Sequence, residues 1–76
     1  MVTGGMMEYV TVRYPERRTV NIDGVPAGFT DRTLRVNRGT HTFNLGDPRD
    51  YRPKWRRVRV KGTTSTRPME VVFETR

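Results

Sequence analysis

The sequence predicts a small all-β protein, a single antiparallel β-sandwich of about six or seven short strands. Three observations lead to this fold class. Short segments alternate between apolar and polar residues, turn-forming residues separate them at nearly even spacing, and no segment shows the apolar stripe and caps of a helix. The chain has 76 residues and no cysteine. We therefore expect a flexible tail at residues 1–7 and one domain at residues 8–76, held together without disulfides.

The first strand is expected at residues 9–14, where β-branched and aromatic residues alternate with polar ones. This alternation places Tyr9, Thr11 and Arg13 on the outer face and the residues between them in the core. Pro15 ends the strand, because proline has no backbone N–H to donate to a ladder.

The second strand is expected at residues 19–22. Residues 23–24 are Asp-Gly, which suits a tight two-residue turn because glycine takes a positive φ without steric cost. Pro26 and Gly28 predict that the next stretch is irregular. The third strand is expected at residues 33–36.

A hairpin is predicted to connect the third and fourth strands, with residues 37–39 as a three-residue loop. The fourth strand, residues 40–45, alternates again. His41 shares a face with apolar residues there, so we expect a partly buried imidazole with a structural role. A lone histidine in a chain without cysteine lacks the ligands of an ordinary zinc site, and no nucleophile lies at a recognisable spacing from it.

The last two strands are expected at residues 55–60 and 69–74, and residues 62–66 join them as a polar loop. The inward-facing positions of all six strands make up the predicted core. Its members are Val10, Val12, Tyr14, Val20, Ile22, Leu34, Val36, Phe43, Leu45, Val58, Val60, Val71 and Phe73.

Positive charge dominates the composition, since 15 Lys and Arg against eight Asp and Glu leave a net charge of +7. Much of that charge lies in residues 49–61. In a strand, Arg57, Arg59 and Lys61 fall on the same face as Trp55, and we call these four residues the basic stripe. The full set of candidate binding residues is Tyr51, Arg52, Lys54, Trp55, Arg57, Arg59 and Lys61.

Several interpretations of this region remain open. A solvated edge strand carries charges that prevent sheet-to-sheet aggregation. Cations beside aromatic rings also bind the carboxylates of an acidic protein or an envelope surface, or the phosphates and bases of single-stranded nucleic acid. Tyr9, Tyr51 and Trp55 are a candidate aromatic platform for a sugar ring or a peptide, whereas core packing is the alternative for Trp55.

The order of landmarks along the chain resembles the PEGA domain family of small β modules. The similarity extends from Val10 to Phe73, nearly the whole chain. The segments that carry it are Pro15-Glu16, Val20-Asn21-Ile22-Asp23-Gly24, Gly28-Phe29-Thr30, Leu34-x-Val36, Gly39-Thr40-His41-x-Phe43-x-Leu45, Tyr51-Arg52-Pro53 and Val71-Val72-Phe73. The resemblance implies a non-catalytic β-sandwich module of a kind found within larger bacterial and archaeal proteins, many of them exported or envelope-associated.

We therefore expect a non-catalytic interaction module that binds an acidic protein or a cell-envelope surface through Arg52, Arg57, Arg59 and Lys61, with aromatic anchoring beside them. The alternative is a small β domain that binds single-stranded nucleic acid. An enzyme is not expected, because Asp47 and Asp50 lie in a polar loop that offers little to desolvate a catalytic carboxylate pair. A cofactor and a metal are not expected either. An open sheet edge also allows pairing with a partner strand or a second copy.

No apolar stretch is long enough to cross a membrane. Residues 1–7 lack the basic start and apolar region of a secretory signal. The compartment therefore remains open from the sequence.

Overall fold

A computed structural model describes residues 7–76, which contain strands and no helix. The described part of the chain accordingly holds no apolar helix of membrane-spanning length. The strands are β1 (Met7–Arg13), β2 (Thr19–Ile22), β3 (Val25–Phe29), β4 (Thr33–Asn37), β5 (Gly39–Asn44), β6 (Tyr51–Arg52), β7 (Arg56–Val60), β8 (Met69–Val72) and β9 (Glu74–Thr75). The small all-β fold expected from the sequence is confirmed. The tail was expected at residues 1–7, but Met7 is the first residue of β1. Residues 1–6 lie outside the described residues.

Two larger sheets enclose the core. In the first sheet β1 lies between β4 and β8, and in the second the strand order is β3-β2-β5-β7. The short strands β6 and β9 pair separately. One pairing differs from the expected antiparallel pattern, because β1 and β8 run parallel, with Val10 opposite Met69. Parallel neighbours need a long connection, and the chain between β1 and β8 contains most of the domain.

The core agrees closely with the alternation of the sequence. Apolar side chains of both larger sheets meet there, and Phe43, Val60 and Val71 are completely buried. Every predicted core residue is buried except Val58, which is half-buried and packs against the others. Tyr51 joins the core and was not expected there. Removing this apolar surface from water is the main contribution to folding free energy.

The stretch expected to be irregular is a strand, β3, which pairs with β2. Pro26 lies opposite Asn21, and the register shifts between Val20 and Asn21. Proline is tolerated because β3 is an edge strand with one hydrogen-bonded neighbour. The predicted turn before it is confirmed, since Asp23 and Gly24 have φ values of 53° and 83°, which is typical of a type I′ hairpin turn.

The predicted hairpin at residues 37–39 is wrong. β4 pairs with β1, whereas β5 pairs with β2 and β7, so the chain passes from one sheet to the other at Arg38. Gly39 follows with a φ of 138°, which favours glycine. Alternation within a strand determines which side chains face inward, but it does not determine which strands become neighbours.

Two smaller expectations also need correction. Thr11 was expected on the outer face and is 4% exposed, as suits a residue of the central strand of its sheet. The segment at residues 69–74 divides into β8 and β9, with buried Phe73 between them. The Phe73 N–H donates to the Arg13 carbonyl at 3.0 Å, so the link between β1 and the chain continues past the end of β8.

A buried carboxylate fastens the loop that follows β7. Glu8 is 2% exposed and accepts hydrogen bonds from the N–H and hydroxyl of Thr63, at 2.9 and 2.5 Å. Arg38 Nε donates to its other oxygen at 3.0 Å. The hydrogen bonds from Thr63, followed by the contact with Arg38, lower the pKa of Glu8 although desolvation acts to raise it. Every buried polar side-chain atom in residues 7–76 has a partner.

A second polar anchor holds the loop between β5 and β6. The Arg18 side chain is 12% exposed, and its Nη1 lies 2.6 Å from Asp50 Oδ1. Its Nη2 donates to the carbonyls of Leu45 and Pro48, at 3.2 and 2.8 Å. The guanidinium also lies 5.4 Å from the centre of the Tyr51 ring. No pattern in the sequence marks Arg18 as a buried anchor, because a single basic residue carries no periodicity.

Candidate functional site

The basic stripe follows β7 along one face, as the alternation predicts. Arg57 and Arg59 are exposed, whereas Val58 is half-buried and Val60 is completely buried. Lys61, directly after the strand, is exposed as well. The strand therefore fastens itself to the core through its valines and directs its cations to solvent.

The outer face next to the stripe is polar and carries small side chains. In the β5–β7 pairing, Thr42 lies opposite Arg57 and Thr40 lies opposite Arg59. Residues directly opposite in an antiparallel pair point to the same face. The long cations of β7 thus border a shallow surface of hydroxyl groups, which leaves room for a ligand to lie along the strand.

No carboxylate neutralises this stretch. Within residues 7–76, every Asp and Glu side chain except that of Glu16 lies in an ion pair, and no ion pair includes Arg57, Arg59 or Lys61. Asp23 lies close enough for Arg57 to contribute a small attraction to the lowering of its pKa, which comes chiefly from a hydrogen bond with His41. Arg57, Arg59 and Lys61 therefore contribute positive charge to this face that no ion pair within residues 7–76 neutralises.

Trp55 is 55% exposed, so its indole is available at the surface. It lines two open cavities of about 380 and about 180 Å³. The larger cavity also has Asn44, Arg49 and Lys54 in its wall. The smaller has Thr42, Asn44 and Arg57. The ring therefore lies beside cations, an amide and the Asp47 carboxylate of the larger cavity, and its exposed face is suited to stacking on a planar group.

Two of the predicted binding residues lie apart from the stripe. The prediction that Tyr51 lies on the binding surface is wrong, because it is 3% exposed. Its hydroxyl accepts from the Leu45 N–H at 3.2 Å and donates to the Gly46 carbonyl at 3.0 Å. Arg52 is exposed, but it belongs to β6, where its Nε lies 3.8 Å from Glu74 Oε1. The candidate site therefore consists of Trp55, Arg57, Arg59 and Lys61, with Lys54 next to it in the sequence.

The aromatic platform also fails to form. Tyr51 contributes its ring to the core, edge-to-face with Phe73 at a centroid distance of 5.5 Å. Tyr9 is half-buried on β1, in the other large sheet. Trp55 is left as the one aromatic ring of the three at the basic stripe.

Arg56 has a different role from its neighbours in β7. Its Nη1 donates to the Val72 carbonyl at 3.0 Å, which ties the beginning of β7 to β8. No hydrogen bond between side chains, or from a side chain to the backbone, involves Arg57 or Arg59 in the described part of the chain. Sequence alternation separated Arg56 from the stripe correctly but did not reveal this contact.

His41 lies near the stripe and is partly buried, with 16% of its side chain exposed. Its Nδ1 is 2.6 Å from Asp23 Oδ2 and its Nε2 is 2.7 Å from the Asn37 carbonyl. Both partners are acceptors, so this geometry favours the imidazolium form, in which both ring nitrogens donate. Burial is the largest influence and lowers the pKa of His41, but the hydrogen bonds to Asp23 and Asn37 and the attraction of Asp23 together raise it.

In residues 7–76, no group of three or more His, Asp or Glu side chains is arranged to hold a metal ion. Comparisons of the chain with protein-family models, curated proteins and solved structures found no match. The resemblance to PEGA domains therefore stays a prediction.

Proposed function

We propose that the protein is a non-catalytic interaction module that captures an acidic protein or envelope surface through Trp55, Arg57, Arg59 and Lys61. Arginine forks pair with carboxylates in bidentate geometry, and the indole supplies an apolar anchor beside them. Charge complementarity sets the rate of encounter and the choice of partner.

One observation carries this proposal: the edge strand β7 exposes Arg57 and Arg59, an exposed indole precedes it and the exposed Lys61 follows it, and none of these three cations has a carboxylate partner within the described chain. Surface arginines usually form ion pairs with nearby carboxylates, and each pair adds little to the stability of the fold. Here nearly all carboxylates of the described chain form ion pairs with other residues, so the positive charge of the stripe is available to a partner.

The all-β architecture supports the further proposal that the chain is a PEGA-like module. The resemblance implies a role in binding rather than in catalysis and an association with exported proteins. The sandwich and the turn at residues 23–24 fit that relationship, and the parallel pairing of β1 with β8 is a feature to look for in any relative.

The test is charge reversal with a matched control. Arg57→Glu with Arg59→Glu replaces two attractions by repulsions, and binding to immobilised polyglutamate should weaken at least about tenfold. Arg32→Glu with Arg35→Glu is the control, since both residues are exposed, Arg35 lies on β4 of the other large sheet and Arg32 directly precedes that strand, and the net charge changes equally. Equal losses in the two double variants would show that net charge alone, and not the stripe, holds the probe.

Single-stranded nucleic acid is the second candidate, and the exposure of Trp55 beside Arg57 favours it. Base stacking on an exposed ring contributes about 1–3 kcal/mol per base. Binding of a mixed-sequence oligonucleotide should then fall steeply with salt, because each neutralised phosphate releases counterions. An oligonucleotide that fails to bind at about 50 mM salt, where such contacts are strong, would exclude this candidate.

A further inference from the structure

In the described part of the chain, the backbone N–H and C=O groups of Arg57 and Arg59, the two β7 residues that carry exposed cations, have no partner. Among the described strands, β7 has a hydrogen-bonded neighbour, β5, on one side only. On β5, the Thr42 carbonyl accepts from the Asp23 N–H at 2.8 Å, and the Thr42 N–H donates to Asp23 Oδ1 at 2.9 Å. Both backbone groups of Thr42 therefore point away from β7.

The orientation of the β7 backbone follows from the register. Thr42 lies directly opposite Arg57. In an antiparallel ladder, hydrogen-bonded and non-hydrogen-bonded pairs alternate, and both members of a non-hydrogen-bonded pair direct their N–H and C=O groups away from each other. The N–H and C=O of Arg57 consequently point to the open edge. Those of Arg59, two residues later, do the same.

We propose that the partner at this edge is an extended acidic peptide that adds to β7 as an antiparallel strand. This inference rests on the proposed function and makes its partner class more specific. The peptide backbone would pair with the N–H and C=O of Arg57 and Arg59, and its acidic side chains would lie opposite the two guanidinium groups. Main-chain hydrogen bonds supply affinity in such strand addition, and alternate side chains supply specificity.

The face pattern of β7 defines the sequence of the peptide. Residues opposite Arg57 and Arg59 share their outer face, with Cα atoms about 5.5 Å away, so acidic residues are needed at positions i and i+2. The residue between them points to the inner face, where half-buried Val58 marks the margin of the core. An apolar residue at that position extends the buried surface, so the motif alternates acidic and apolar residues.

Two other occupants fit less well. A second copy of the chain, pairing β7 with β7, would set Arg57 and Arg59 against the same cations, and like charges directly opposite destabilise a sheet. A nucleic acid satisfies the guanidinium groups with phosphates, but its sugar–phosphate backbone has no regular N–H donors for the carbonyls of Arg57 and Arg59. The charged edge thus excludes self-pairing and admits an acidic strand.

The test uses peptides that differ only in their backbone. The parent peptide is an alternating Glu-Val-Glu-Val-Glu with capped ends. One derivative is N-methylated at the two glutamates that pair with β7, and the control is N-methylated at the valines, whose N–H groups point away from β7. Methylation leaves all charges unchanged. Affinity for the full chain is measured by calorimetry, with a mixed-sequence oligonucleotide as a competitor.

The glutamate-methylated peptide should bind at least about tenfold more weakly than the parent, because it loses the ladder hydrogen bonds. The valine-methylated control should stay within about twofold. Equal binding of the parent and the glutamate-methylated peptide would overturn strand addition while leaving charge-based capture intact. If the oligonucleotide displaces the bound peptide at lower concentrations than free parent peptide does, the inference is also overturned. If peptide binding is unchanged in the Arg57→Glu with Arg59→Glu variant, the proposed function itself is overturned.

Discussion

The stability of this protein should fall as the pH rises through neutrality, and His41 should be the cause. Both of its ring nitrogens face acceptors, so the folded state prefers the imidazolium and the pKa of His41 is raised. A raised folded-state pKa means that this stabilisation is complete below the unfolded value of about 6.5 and is lost as the pH rises through the folded value. The chain contains one histidine and no cysteine, so it has no other side-chain type whose ordinary pKa lies near neutrality.

The size of the expected stability loss follows from the two hydrogen bonds of His41. A hydrogen bond to a charged group contributes about 1.5–3 kcal/mol. The Asp23 side chain is 52% exposed, and solvent screening therefore places the loss nearer about 1 kcal/mol. For a domain of this size, that loss lowers Tm by about 4–8 °C. It is a substantial part of a total stability of roughly 4–11 kcal/mol for a chain of this length.

The assay is urea unfolding, followed by circular dichroism between about pH 6 and about pH 8.5. The wild-type free energy of unfolding should decrease across this range. His41→Gln should be less stable than the wild type at the acidic end and should show little change with pH. A wild-type curve that is level in this interval, or a His41→Gln curve with the same slope as the wild type, would refute the protonated hydrogen-bonded imidazole.

Four further substitutions test the core, the exposed indole, strand β3 and a loop anchor, with the urea midpoint as the measurement. Phe43→Ala should lower the free energy of unfolding by about 3–5 kcal/mol, because the ring is fully buried. Trp55→Ala should change it by no more than about 0.5 kcal/mol. Similar losses in the two variants would contradict the burial of Phe43 and the exposure of Trp55. Gly28→Ala should cost more than about 1 kcal/mol, because a φ of +154° strains any L side chain and the added Cβ would lie 2.5 Å from Cδ2 of Leu34, which is buried in the core. Arg18→Lys should cost about 1–3 kcal/mol, since an ammonium cannot serve several acceptors in the geometry of a fork, and an unchanged midpoint would show that the anchor is dispensable.

The alternation of apolar and polar residues was enough to predict the core and the face of the cations. Val10, Val12, Val58 and Val60 lie where a two-residue period puts them, because a strand turns successive side chains to opposite faces. The strand pairings were not predictable in the same way. The parallel contact of β1 with β8 joins segments far apart in the chain, and no local pattern encodes which strand lies beside another.

Tyr51 shows a second limit of sequence reasoning. It stands between a polar loop and Arg52, so its surroundings in the chain indicate a surface residue. In the folded protein its ring fills the core while its hydroxyl pairs with the backbone of Leu45 and Gly46. A tyrosine can satisfy both environments, and only the three-dimensional positions of the loop and of β9 decide between them.

The distribution of acidic residues argues against a purely protective role for the charges of β7. A solvated edge strand needs charges to prevent aggregation, but alternating signs would serve that purpose equally well and would repel one another less. Instead, nearly all carboxylates lie in ion pairs elsewhere, and the exposed Trp55 stands at the start of the strand. A row of unneutralised cations carries a cost of mutual repulsion in an isolated domain, and an exposed indole leaves apolar surface in water. A partner that covers the indole and neutralises the cations would remove both costs at once, so this arrangement favours binding over protection.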